Sequence, residues 1–166
     1  MQQIVVGVDG SDGSRLALRW AAEEARLRSA KLIAVIAWHV SSFWLGLAES
    51  GMAPSPADVA LDEQAAEREA SSRLQRIVAE VLGDDPDIPI ETKVLEGAAA
   101  PVLISQAREA DLLVVGTRGL GGFRGLLLGS VSQHLSHHAP CPLVIVPAQK
   151  SEGLDDQTHH EEHGDA

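Results

Sequence analysis

The chain reads as an α/β protein built on a doubly wound, five-stranded parallel sheet with helices on both faces. Strand-like and helix-like stretches alternate from one end to the other, the pattern that builds such a sheet. The strands are short, continuous apolar runs, as expected where both faces are covered. The turns after the first and fourth strands are unusual, and ligands of open parallel sheets bind at the carboxyl ends of the strands, where the strand order reverses.

Residues 3–8 (QIVVGV) form the first strand, ending at Asp9, Gly10 and Ser11. Residues 14–28 follow as a helix, with Leu18, Ala21, Ala22 and Ala25 at helical spacing. Residues 31–38 (KLIAVIAW) make the second strand. From about 39 to 58 the sequence reads as loop, punctuated by Gly46, Gly51, Pro54 and Pro56. That is long for a connection inside a compact domain, so the segment is either a lid, which Trp44 and Met52 would suit, or irregular chain.

Leu74, Ile77, Val78 and Val81 mark the buried stripe of a second helix, which ends in the run GDDPDIP. Residues 90–95 are a third strand, and 98–109 a helix with Pro101 in its first turn. Residues 111–115 (DLLVV) are the fourth strand and 116–129 a loop with six glycines. Residues 130–138 are the last helix and 143–146 (LVIV) the fifth strand, set between prolines. Past Pro147 the apolar periodicity stops, and the polar residues that follow bury too little to offset the entropy of ordering a backbone. One domain over 1–147 and a disordered acidic, histidine-containing tail over 148–166 are expected.

Composition excludes several functions. Thirteen basic against twenty-four acidic residues give a net charge of −11, which disfavours nucleic acid and anionic membranes as partners. The segment after Pro147 carries −5 of that charge. Two Phe, three Trp and no Tyr leave little for stacking on bases. The single cysteine, Cys141, forms no internal disulfide; it reads as a small buried hydrophobe and fits a reducing compartment. No signal peptide and no membrane-spanning run are visible, so a cytoplasmic location is expected.

The chemistry is concentrated after the fourth strand. The loop reads Gly116-Thr117-Arg118-Gly119, nine residues, then Gly129-Ser130-Val131-Ser132, with Gly121, Gly122 and Gly125 between. Glycines permit positive φ and close approach to a ligand, and a loop that opens a helix presents unpaired N–H groups to an anion. The N–H groups and two hydroxyls of Ser130, Val131 and Ser132, with the helix dipole, make a phosphate site that needs no lysine. Arg118 and Arg124 would add positive charge. A valine at Gly129 would fill the phosphate space and resist positive φ.

Gly-x2-Gly-x9-Gly-Ser after a strand resembles the nucleotide motif of the ATP-binding universal stress proteins. The resemblance runs through 3–147, including the opening IVVGVDGS and the stretch VGTRGLGGFRGLLLGSVSQHLSHHAPCPLVIVP. It implies the adenine nucleotide alpha hydrolase-like fold with strand order 3-2-1-4-5 and ATP as ligand, with Mg2+. Adenine would meet Asp9 and the backbone near Ala37. Val115 and Gly116 would wall the pocket, Gly119, Gly129 and Ser130 would hold ribose and phosphate, and Val131 and Ser132 would complete the phosphate nest. It also implies a homodimer joined through Leu143 to Val146.

Asp9 read without the family is an Asx turn or helix cap. His134, His137 and His138 stand at spacings that can present two imidazoles to one metal. No Cys or carboxylate follows at ligand spacing, so a solvated or dimer-facing helix end is expected and no metal site is assigned. Asp12, Arg15 and Arg19 open the first helix as a solvated, dipole-complementing face. Gly-x-Ser-x-Gly and Gly-Lys-Ser are both absent, which removes the signatures of α/β-hydrolases and P-loop NTPases. No catalytic residue is assigned, and a nucleotide-dependent regulatory protein is expected. The alternatives are a slow ATPase or phosphotransferase, a cyclic AMP binder and a nucleotide-free dimeric module.

Overall fold

A computed structural model describes residues 1–39, 55–120 and 128–148. Five parallel strands form one sheet in the order β3-β2-β1-β4-β5, the order expected. They are β1 (Gln3–Gly7), β2 (Lys31–Trp38), β3 (Ile90–Glu96), β4 (Leu112–Gly116) and β5 (Leu143–Val146). The connecting helices are α1 (Asp12–Arg28), α2 (Pro56–Leu82), α3 (Ala99–Ala107) and α4 (Ser130–His138). β1 pairs with β2 and β4, so the chain reverses direction across the sheet at the β1/β4 seam.

The two-residue period of the strands sorts their side chains into two cores. Ile4, Val6, Leu32, Ala34, Ile36, Leu112 and Val114 pack with α1 and α2, against Leu18, Leu74 and Ile77. Val5, Ile33, Val35, Leu113 and Val115 pack on the other face, against Leu103 and Ala107 of α3 and Leu135 of α4. The small residues Ala17, Ala21 and Ala25 are fully buried on α1.

α1 starts on Ser11, which caps the N–H of Ser14, and ends at Ser29, whose left-handed φ of 51° turns the next N–H, that of Ala30, back to the Ala25 carbonyl at 2.9 Å. Arg15 does not lie on a purely solvated face, because it pairs with Glu80 of α2. α2 begins earlier than the apolar stripe indicates. Ser55 caps the N–H of Asp58 and Pro56 occupies the first turn, so 56–58 are helix and not loop. Within α2 only Ala70, Leu74 and Ile77 are buried, so its first half lacks the periodic signal. Residues 40–54, with Trp44 and Met52, lie outside the described residues, as do Gly121, Gly122, Arg124 and Gly125 of the glycine loop and the tail from 149.

The two sheet edges differ. β3 carries Glu91, Lys93 and Glu96, and Lys31 of β2 pairs with Glu91, which charges that edge. β5 is uncharged along its length and half-buried. Leu113 and Thr117 donate to the carbonyls of Pro142 and Val146, so the alternating pattern turns the backbone of Leu143 and Ile145 towards the open edge. Among the described residues no helix is long and apolar enough to cross a membrane.

Candidate functional site

The turn from β1 to α1 is knit together by three side chains. Gly10 takes a φ of +91°, which bends the chain out of the strand. The Asp9 carboxylate accepts from the Ser11 N–H at 2.9 Å and the Ser11 hydroxyl at 2.6 Å through one oxygen. Ser14, 4% exposed, accepts from the N–H groups of Asp9 and Gly10 and donates to the Ser11 carbonyl at 2.9 Å. Asp9 therefore makes the Asx turn its sequence position suggests.

The second Asp9 oxygen reaches across the seam to the loop after β4, accepting from the Leu120 N–H at 3.1 Å. A Cβ at Gly119 would overlap that oxygen. At Gly116 a Cβ would lie 2.6 Å from the Gly13 carbonyl carbon, and at Gly13 it would lie 2.8 Å from the Arg118 carbonyl oxygen. These glycines let the two turns touch. Positive φ is not their reason, since the described glycines with positive φ are Gly10, Gly83 and Gly97. Gly129 has a φ of −74°, so the expectation of a left-handed backbone there is corrected.

The neck of the loop is closed by the Gly129 N–H donating to the Thr117 carbonyl at 2.7 Å. Gly129 then caps α4 without a side-chain bond. The N–H groups of Ser130, Val131 and Ser132 have no protein acceptor among the described residues, the state in which a helix start attracts an anion. The two hydroxyls named by the sequence separate here. Ser132 is 3% exposed and donates to the Gly116 carbonyl at 2.6 Å, fixing α4 to the end of β4. Ser130 is exposed.

Between these turns and the start of α3 lies a cavity of about 300 Å³. All ten residues named from the sequence line it: Asp9, Ala37, Val115, Gly116, Arg118, Gly119, Gly129, Ser130, Val131 and Ser132. Further lining comes from residues the sequence reading left out, among them Gly7, Val35, Ala99 and Leu103. Val35 shares a sheet face with Ala37, so strand periodicity was a usable signal for it. Gly7 was marked by being a glycine inside a strand: a Cβ there would sit 2.9 Å from Leu103. Ala99 and Leu103 enter through the packing of α3, which local sequence does not announce.

The cavity has an apolar floor of Val35, Ala37, Leu103 and Val115 and a polar rim of Asp9, Arg118 and the α4 start. It suits a flat ring carrying an anionic arm. Asp9 is the one carboxylate in the described lining, and both its oxygens already accept hydrogen bonds. Among the described residues no three His, Cys, Asp or Glu side chains converge on a metal position.

Comparisons with known proteins agree with this geometry. Residues 1–147 match the model of the universal stress protein family. A universal stress protein of Mycolicibacterium smegmatis is 37% identical over 160 residues, covering 95% of this chain and 50% of that protein. One from Mycobacterium tuberculosis is 34% identical over 149 residues, covering 89% and 48%. The chain thus spans about half the length of the curated relatives it matches. Among solved structures, a universal stress protein from Lactobacillus plantarum shares the fold at a TM-score of 0.69 and 22% identity, covering 87% of this chain and 97% of that one. A universal stress protein in complex with cAMP matches at 32% identity and a TM-score of 0.53, covering 89% and 98%. Its sheet order, its glycine-built seam and these matches show that the chain belongs to the universal stress protein family.

Proposed function

We propose that the chain binds ATP, with Mg2+, in the cavity at the β1/β4 seam and acts as a nucleotide-dependent regulatory protein of the stress response. The observation that carries this reading is the uncapped start of α4 opening onto an apolar-floored cavity. Adenine lies on Val35, Ala37 and Val115, with Asp9 and the backbone near Ala37 at its edge. Ribose and phosphates follow Gly119, Gly129 and Ser130 to the N–H groups of Val131 and Ser132, with Arg118 over the charge. Mg2+ comes with the nucleotide, held by phosphate oxygens and water.

Regulation is favoured over turnover because Asp9, the carboxylate in the described lining, is committed to Ser11 and Leu120 and is not poised as a base. A second reading, cyclic AMP as the ligand, has one specific support: the relative solved with cAMP is 32% identical. Titration calorimetry of nucleotide-stripped protein with Mg2+ and ATP, then cAMP, AMP and ADP in competition, decides between them. Binding of ATP near 1 μM, about −8 kcal/mol, supports the proposal. Preference for cAMP transfers the site to the second reading, and no binding by any of them removes both.

The same reading makes the protein a cytoplasmic homodimer joined at β5. The uncharged β5 edge, against the charged β3 edge, supports this choice. Analytical ultracentrifugation of the wild type should show a dimer, and a monomer at micromolar concentration would refute the assignment. We place the nucleotide-binding unit in 1–147, so a chain ending at Ala148 should bind as the full chain does.

A further inference from the structure

We propose that His134 and His138, at the end of α4 away from the cavity, form a two-imidazole site for a borderline transition-metal ion such as Zn2+ or Cu2+. The pair is one helical turn apart, both residues are exposed, and their ring centroids are 4.5 Å apart. With metal–nitrogen bonds of about 2.0–2.1 Å, each ring centre stands about 3.2 Å from a bound ion, so two imidazoles bound at roughly a right angle have centroids about 4.5 Å apart. The separation matches two imidazoles held at a right angle by one ion, the rings being tilted by 38° to one another. Both imidazoles stay exposed beside Leu135, which is buried against the sheet.

Two further features favour a cation here. Neither imidazole has a hydrogen bond or ion pair with another described residue, so both rings are available as ligands. His138 lies in the last turn of α4, at the negative end of its dipole, and His134 one turn before it. His137, whose ring centre is 6.4 Å from that of His138, is the outlying member of the trio. Two protein nitrogens leave the remaining positions to water, which makes the ion exchangeable and ranks Cu2+ above Zn2+.

Titration of the full chain with CuCl2, and separately ZnCl2, tests the site. His159, His160 and His163 of the tail are replaced by Gln in the reference protein, so that they cannot supply ligands. The reference should bind one equivalent of Cu2+, with a two-nitrogen pattern in the electron paramagnetic resonance spectrum. His134→Gln or His138→Gln should each weaken that binding at least tenfold, and His137→Gln should change it less than threefold. Circular dichroism of each variant checks that the fold is kept. Equal Cu2+ affinity in the His134→Gln/His138→Gln double variant, or a spectrum with one nitrogen ligand, overturns the proposal.

Discussion

Replacing Ser132 by alanine separates the structural from the ligand-binding part of the α4 start. The Ser132 hydroxyl is buried and donates to the Gly116 carbonyl at 2.6 Å, joining the first turn of α4 to the last residue of β4. Its removal deletes that hydrogen bond beside the cavity, a loss of about 0.5–1.5 kcal/mol. In a protein of this size each kcal/mol lowers the melting temperature by about 2–4 °C. Urea denaturation should show a lower midpoint with an unchanged slope, because the surface exposed on unfolding is the same. Ser130→Ala is the control: that residue is exposed, so its stability should change by less than about 0.5 kcal/mol while nucleotide affinity falls. A Ser132→Ala midpoint equal to the wild type would refute the role given to this hydrogen bond.

Gly116→Ala should destabilise by about 1–3 kcal/mol or more, since its Cβ would meet the Gly13 backbone at 2.6 Å and neither β4 nor α1 has a side chain to move aside; a urea midpoint checks this. The Arg26 guanidinium, hydrogen-bonded to Asp87, holds that carboxyl below its ordinary value. A folded-state pKa lower than the unfolded one stabilises above the unfolded value, so Asp87→Asn should be less stable than wild type above about pH 4. The difference should vanish as pH falls through the lowered pKa, which paired denaturation curves across pH 2–7 would reveal. Burial, followed by the nearby Asp111 charge, pushes the Cys141 thiol up. Iodoacetamide at pH 8 should therefore modify it more slowly than it modifies a free cysteine peptide.

How far the site was legible depended on whether a residue's reason was local. Ala37, Val115 and Asp9 were named through the family resemblance, and their places at the ends of β2, β4 and β1 agree with the rule that ligands sit at strand ends. Gly119 was legible as a glycine, but its reason was not: the close neighbour is Asp9, more than a hundred residues away in sequence. The same holds for Ser132, whose hydroxyl looks in sequence like a phosphate donor and in the fold serves Gly116. Ala99 and Leu103 reach the cavity through the docking of α3, a tertiary event that no spacing encodes. The start of α2 was misread because its first turns bury little and so lack periodicity, although Ser55 and Pro56 carry the capping signal.

The central claim, that an adenine nucleotide occupies the seam cavity through the α4 start, is tested most directly by titrating ATP and Mg2+ into wild type and Gly129→Val side by side. Gly129 has ordinary extended dihedrals, but a Cβ there would lie 3.3 Å from the Arg118 Cα, so circular dichroism and a urea midpoint establish that the variant is folded before its binding is read. The account predicts wild-type binding near 1 μM and at least a tenfold loss in the variant, equivalent to about 1.4 kcal/mol. Equal affinity in the two proteins, with both folded, would place the nucleotide elsewhere and contradict the account.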